Sequence, residues 1–217
     1  MGRRRVLESM RFLLGALAVW TAGAQPLSLG LKAGATLTGD IDSYEAVSES
    51  KRITFGAAAV VALPLGFGVE VDALYQRSGY RVQDSFFSLA WSYTRARGNS
   101  FEFPVLLRRN LGRGIFVAGG YAARVVDGSE DTTLVQAVGL NGQSYETFRF
   151  HNPGEWQTTQ GVVAAAGIEE RLGPLRLGPE VRYTHWKVPA LDLQGSHGFS
   201  VQSPRNRVEV FLDLRFP

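Results

Sequence analysis

The chain has 217 residues, 45% hydrophobic, 11% aromatic and 20% charged, with 25 Gly, 9 Pro and no Cys. That length suffices for one domain with a sizeable core, and the lack of cysteine excludes a disulfide framework, thiolate metal sites and thiol nucleophiles. Lys and Arg number 23 against 20 Asp and Glu, formally +3, and what this excess implies about partners depends on where the charges lie.

They lie first at the N-terminus. Arg3, Arg4, Arg5 and Arg11 stand against one acid, Glu8, and are followed by the apolar run Phe12-Leu-Leu-Gly-Ala-Leu-Ala-Val-Trp20 and the small residues Thr21-Ala22-Gly23-Ala24. Basic, apolar and small-residue regions in that order predict a secretory signal, with cleavage after Ala24. The apolar run is too short for a bilayer-spanning helix, which needs roughly 20 residues. The expected division is a signal peptide over 1–24 and a single domain over 25–217. Losing the signal removes four arginines and one glutamate and leaves 19 basic residues against 19 acidic. Nucleic acid therefore has no compositional support as a partner.

From residue 27 the dominant pattern has period 2, the signature of strands whose side chains point alternately to opposite faces. Leu27, Leu29, Leu31, Ala33, Ala35 and Leu37 share one face of the first segment, and Ser28, Gly30, Lys32, Gly34 and Thr36 share the other. The second runs from Ile53 to Leu63. In the third, Phe67, Val69, Val71, Ala73 and Tyr75 alternate with Gly68, Glu70, Asp72, Leu74 and Gln76. The fourth alternates Phe101, Phe103, Val105 and Leu107 with Glu102, Pro104, Leu106 and Arg108. The fifth is Gly/Ala-rich, over 115–124, the sixth spans 157–172, and the seventh sets Leu175, Leu177, Val181 and Tyr183 against Arg176, Gly178, Glu180, Arg182 and Thr184. In the eighth, Val208, Val210, Leu212, Leu214 and Phe216 oppose Arg205, Arg207, Glu209, Asp213 and Arg215, with Phe211 the one break.

Connections alternate in length. Tight turns fall at 63–66, 110–114 and 173–174, while the links over 39–51, 79–98, 125–156 and 187–203 are long, polar and rich in Gly, Ser, Asp and Asn. Such links are uncommon inside compact soluble domains. An even strand number, an apolar and a polar face, and turns and loops at opposite ends predict an all-β fold, an eight-stranded antiparallel up-and-down transmembrane β-barrel with short periplasmic turns and long extracellular loops. A soluble barrel of lipocalin type, with its apolar faces inward around an apolar ligand, is the alternative.

The chain resembles small bacterial outer-membrane β-barrel proteins, in particular the barrel-domain family that includes PorT-like members. The resemblance rests on Leu29-Gly-Leu-Lys-Ala-Gly-Ala-Thr-Leu37, Val69-Glu-Val-Asp-Ala-Leu-Tyr-Gln-Arg-Ser-Gly79, Phe101-Glu-Phe-Pro-Val-Leu-Leu107, Gly167-Ile-Glu169 and Glu180-Val-Arg-Tyr-Thr184, in that order. It implies export to the outer membrane, outer-membrane lipid as a partner, and recognition by the barrel-assembly machinery through the C-terminal strand ending at Phe216. Such strands usually end in the aromatic residue itself, whereas Pro217 follows here. The resemblance implies little about activity. A monomer is expected, and the partner of the outer loops is not specified.

The polar faces hold the candidate functional residues. Glu70, Asp72, Glu102, Arg108, Glu180, Arg182, Glu209 and Asp213, with Arg124, Glu169 and Arg215, are expected in the lumen. Mixed signs favour a charge-paired plug over an ion path or catalytic carboxylates, because eight strands leave room only for side chains. Asp40-Ile-Asp42 and Asp127-Gly-Ser-Glu-Asp131 match no complete calcium loop. The histidines, His151, His185 and His197, are too scattered to predict a metal centre, and no cofactor is expected. An outer-membrane lipid deacylase requires a serine two residues beyond its histidine. Here Lys187 stands two beyond His185, and Ser196 beside His197 does not restore the motif, so no catalytic residues are assigned.

Overall fold

A computed structural model describes residues 27–39, 46–86, 90–138, 144–153, 156–189, 192–194 and 200–216. The expected signal peptide, His197, Ser196 and Pro217 lie outside the described residues.

Eight strands form a closed ring: β1 (Leu27–Thr36), β2 (Ile53–Ala62), β3 (Phe67–Phe86), β4 (Ala90–Gly112), β5 (Ile115–Val138), β6 (Gln157–Ile168), β7 (Leu175–Trp186) and β8 (Asn206–Phe216). Each pairs antiparallel with its neighbours in the chain, and β8 returns to β1, with Leu31 opposite Leu214 on one side and Ala57 on the other. This is the up-and-down connection, and it leaves no open edge around the ring. The short connections are built on left-handed backbone positions: Leu65 and Gly66, Gly112 to Gly114, and Gly173, with φ between 51° and 92°. Glycine occupies four of these positions because it has no Cβ to clash there.

The ring is inside-out relative to a water-soluble protein. Leu27, Leu29 and Leu31 are more than half exposed, at 51–60%, whereas Ser28, Lys32 and Thr36 between them are at most 5% exposed. The same holds around the wall: Phe103, Val105, Leu107, Val162, Val181 and Leu212 point out, and Glu102, Leu106, Arg108, Val163, Glu180, Arg182 and Asp213 point in. Phe211, the one break in the charged set of β8, also points in and is buried at 1% exposure.

Strand length differs from the sequence reading. The stretches 79–98 and 125–156 were expected as links, yet β3, β4 and β5 run for 20, 23 and 24 residues and pair through most of them. Tyr80 lies opposite Ala96, and Arg95 opposite Asp131. Two further segments, Ala46–Ser48 and Ser144–Pro153, extend this sheet beyond the ring, beside β3 and β5. The physical reason is a reversal of phase. Inside the ring the outward residues of β3 are Val69, Val71 and Ala73. Beyond Gln76 the outward positions are Arg77 and Arg81, and the buried inner ones are Tyr80 and Val82. An alternation that changes sign midway averages to nothing, although the backbone ladder continues unbroken.

Candidate functional site: the charged lumen

The inward positions of neighbouring strands stack into three tiers. At the turn end, β6 is interrupted at Glu169, whose N–H donates to the Gly114 carbonyl at 2.8 Å before Glu170–Leu172 resumes pairing with β7. The interruption turns the Glu169 carboxylate toward three guanidiniums, those of Arg108, Arg215 and Arg176, the last at 3.1 Å. Arg215 also holds Asp213 at 2.8 Å.

The middle tier centres on Lys32 of β1. Its ammonium contacts Glu70, Glu180 at 2.8 Å and Asp72 at 3.3 Å. Arg182 closes the cluster from β7, donating to Asp72 at 2.7 Å, Glu180 at 2.8 Å and Glu70 at 3.2 Å. Arg108 approaches Glu70 at 3.5 Å and so links this tier to the one below. Three carboxylates packed together would repel one another, and the two cations between them make the cluster possible.

The upper tier is organised by Arg207 of β8. It pairs with Glu102, donates to Gln76 at 2.7 Å and meets Glu209 at 3.0 Å. Thr54 donates to Glu209 at 2.8 Å, and Gln76 donates to Thr36 at 3.1 Å, so polar residues of five strands are tied across the bore. The buried charges balance: Lys32, Arg108, Arg124, Arg182, Arg207 and Arg215 face Glu70, Asp72, Glu102, Glu180, Glu209 and Asp213.

One arrangement recurs three times in the wall. Phe211, Phe116 and Trp186 each point into the lumen, and each lies opposite a glycine of the next strand: Gly34, Gly167 and Gly161. A Cβ at those glycines would stand 2.5 to 2.8 Å from the ring, so only glycine leaves the space. Each ring is then covered by a guanidinium: Arg182 at 4.9 Å from Phe211, Arg108 at 3.5 Å from Phe116, and Arg124 at 4.1 Å from Trp186. Stacking on an aromatic face holds these arginines where their charge is needed. Arg124 has no carboxylate partner among the described residues. It donates to the Val188 carbonyl at 3.1 Å and so fastens the chain leaving β7 over the mouth.

All eight sequence candidates are thus inside the ring, but in different tiers. Glu70, Asp72, Glu180, Arg182 and Arg108 come together, Glu102 and Glu209 meet above them, and Asp213 sits below with Arg215. Lys32 and Arg207, which organise two of the three tiers, are not among these candidates. The signal for Lys32 was its parity: it alternates with leucines on the same face as Ser28 and Thr36.

Elsewhere the chemistry is sparse. His151 contacts Asp131 at 2.7 Å, and His185 contacts Asn206 at 2.7 Å, which also accepts from the Tyr183 hydroxyl. No group of three His, Cys, Asp or Glu side chains suited to a metal occurs among the described residues.

No protein family and no curated protein matches the sequence. In fold the chain is similar to small outer-membrane β-barrel proteins. These include the attachment invasion locus protein Ail of Yersinia pestis, at 10% identity and TM-score 0.36, covering 88% of this chain and 96% of that one. Neisserial surface protein A shows 13% identity and TM-score 0.35, with 88% and 96% covered. CarO2 of Acinetobacter baumannii shows 14% and 0.38, with 88% and 99% covered. Nothing about activity or partners passes to this chain from them.

Proposed function

We propose that this chain is a small outer-membrane β-barrel with a side-chain-filled lumen, serving as a structural and interaction protein of the cell envelope. The observation that carries the reading is the division of the wall: a continuous apolar exterior around a charge-balanced, buried interior. Water would not tolerate the first, and an apolar ligand would find no room or affinity in the second. Lipid satisfies the exterior, and the closed hydrogen-bonded ring satisfies the backbone. Binding falls to the end bearing the long connections, where β3, β4 and β5 rise beyond the ring and display polar surface. The kinship to PorT-like barrels is supported by the sequence motifs alone. Export by a signal over 1–24 and insertion through the strand ending at Phe216 belong to the same proposal, as does a monomeric state. No enzymatic role is assigned, since His185 bonds to Asn206 and to no hydroxyl nucleophile among the described residues.

Envelope fractionation with a heat-shift gel tests this. The expected result is recovery in the outer membrane with a mobility that changes on boiling. Recovery in the soluble periplasm at one mobility would refute it.

A further inference from the structure

Resting on the membrane reading, we infer that Lys51, Arg77 and Arg97 form a binding site for the phosphate of an anionic lipid in the leaflet at the long-connection end. The height is set by an outward aromatic row. Phe55, Tyr75 and Phe101 lie side by side on β2, β3 and β4, with ring centroids 5.4 and 5.3 Å apart. Aromatic rows of this kind mark the boundary between acyl chains and headgroups. Arg77 is the next outward residue of β3 above Tyr75, and Arg97 is two outward positions above Phe101 on β4. Both are exposed.

Lys51 lies beside Arg77, its N–H donating to the Arg77 carbonyl at 3.1 Å, and is exposed. Arg97 lies opposite Gly79, and Arg77 and Arg97 border one recess together with Asn99. The Tyr75 hydroxyl donates to Asn99 Oδ1 at 2.8 Å, which leaves the Asn99 amide NH2 as a further donor beside Arg77 and Arg97. Like charges on neighbouring strands destabilise a sheet unless a counter-charge joins them. One row higher, Arg81 and Arg95 have that counter-charge: Glu49 lies 3.9 and 2.6 Å from them. Lys51, Arg77 and Arg97 have no ion pair among the described residues. Of the acids on this face, Glu49 is engaged by Arg95, Asp131 by His151, and Asp127 alone borders the recess. A phosphomonoester at headgroup height supplies the missing charge, with its acyl chains along the leucine and phenylalanine wall below. Guanidinium forks suit phosphate oxygens.

The test uses the full chain refolded in zwitterionic detergent and native mass spectrometry of retained lipid. Short-chain phosphatidic acid is compared with phosphatidylcholine of the same chains. The native barrel is expected to retain phosphatidic acid preferentially, with retention falling about fivefold for each cation removed in Lys51→Gln, Arg77→Gln and Arg97→Gln. Arg113→Gln, in the turn at the opposite rim, is expected to leave the preference unchanged. Equal retention of both lipids, or a preference that survives the triple substitution, would overturn the inference. Displacement of the lipid by millimolar inorganic phosphate would overturn the lipid as the ligand and leave a free-anion site. A heat-shift gel on the same samples separates the two readings. A chain that stays soluble without detergent defeats the membrane reading, whereas a folded, heat-modifiable barrel without preference defeats only this site.

Discussion

At the scale of single residues, Lys32 is the position on which most depends. Its ammonium is fully buried and touches Glu70, Asp72 and Glu180, and among the described residues Arg182 is the one other cation in contact with all three. Removing the charge leaves three buried carboxylates sharing Arg182, with Glu70 alone reaching a second guanidinium, that of Arg108 at 3.5 Å. Lys32→Met keeps the reach of the side chain to Cε and deletes the ammonium beyond it. It is expected to lower stability by about 3–5 kcal/mol, the usual cost of orphaning buried charge, measured by urea unfolding of the barrel in lipid vesicles. A change below about 1 kcal/mol, typical of exposed pairs, would mean that the cluster is hydrated. Glu70, Asp72 and Glu180 could be read as lumen residues because acids on a strand between apolar neighbours are conspicuous. Lys32 shares their polar-face parity, but only the ring closure, which brings β1 against β8 and β2, shows that its side chain meets acids of β3 and β7.

At the scale of elements, the legible part of the fold is the part surrounded by one environment on each face. β1, and β8 apart from Phe211, alternate from end to end, and their boundaries emerge from sequence within a residue or two. β3 does not, because it crosses from an apolar surrounding into a polar one and its apolar residues change face at the crossing, and β4 and β5 lose their apolar outward row there, with Arg95 and Arg97 on one and Asp127 and Asp131 on the other. The three glycine–aromatic pairs were equally hidden: Gly34 and Phe211 are adjacent only through strand register. The extended strands give a measurable consequence. If 77–82 and 95–100 are ladder-paired, as Tyr80 opposite Ala96 requires, their amides exchange with deuterium slowly. The expected protection approaches that of the ring strands and far exceeds that of open loops, which exchange at near-intrinsic rates. Hydrogen-exchange mass spectrometry in nanodiscs reads this directly, and free exchange over both stretches would show that the strands end near Gln76 and Phe101.

For the molecule as a whole, the question is whether a barrel with so much charge inside conducts. Eight strands enclose an interior just wide enough for side chains, and here long ones fill it. Arg182, Lys32 and Arg207 reach across the bore to carboxylates on other strands, and the recess at the turn end is bordered by Arg108, Glu169 and Arg215. An ion entering would have to displace an internal pair, at the cost of stripping both partners in a medium that cannot solvate them. Among the described residues, six buried cations balance six buried anions, which leaves no net charge among them to draw an ion in. The native protein in planar bilayers is therefore expected to give no steady channel. Arg182→Met breaks the symmetry in a chosen direction, shortening the side chain across the bore and leaving Asp72 and Glu180 with Lys32 alone and Glu70 with Lys32 and Arg108. It is expected to open a small leak selective for cations, read as a reversal potential displaced toward that of potassium under a salt gradient. A steady, weakly selective pore in the native protein would show instead that the charges line water, and a variant leak selective for anions would contradict the placement of the three carboxylates around one bore.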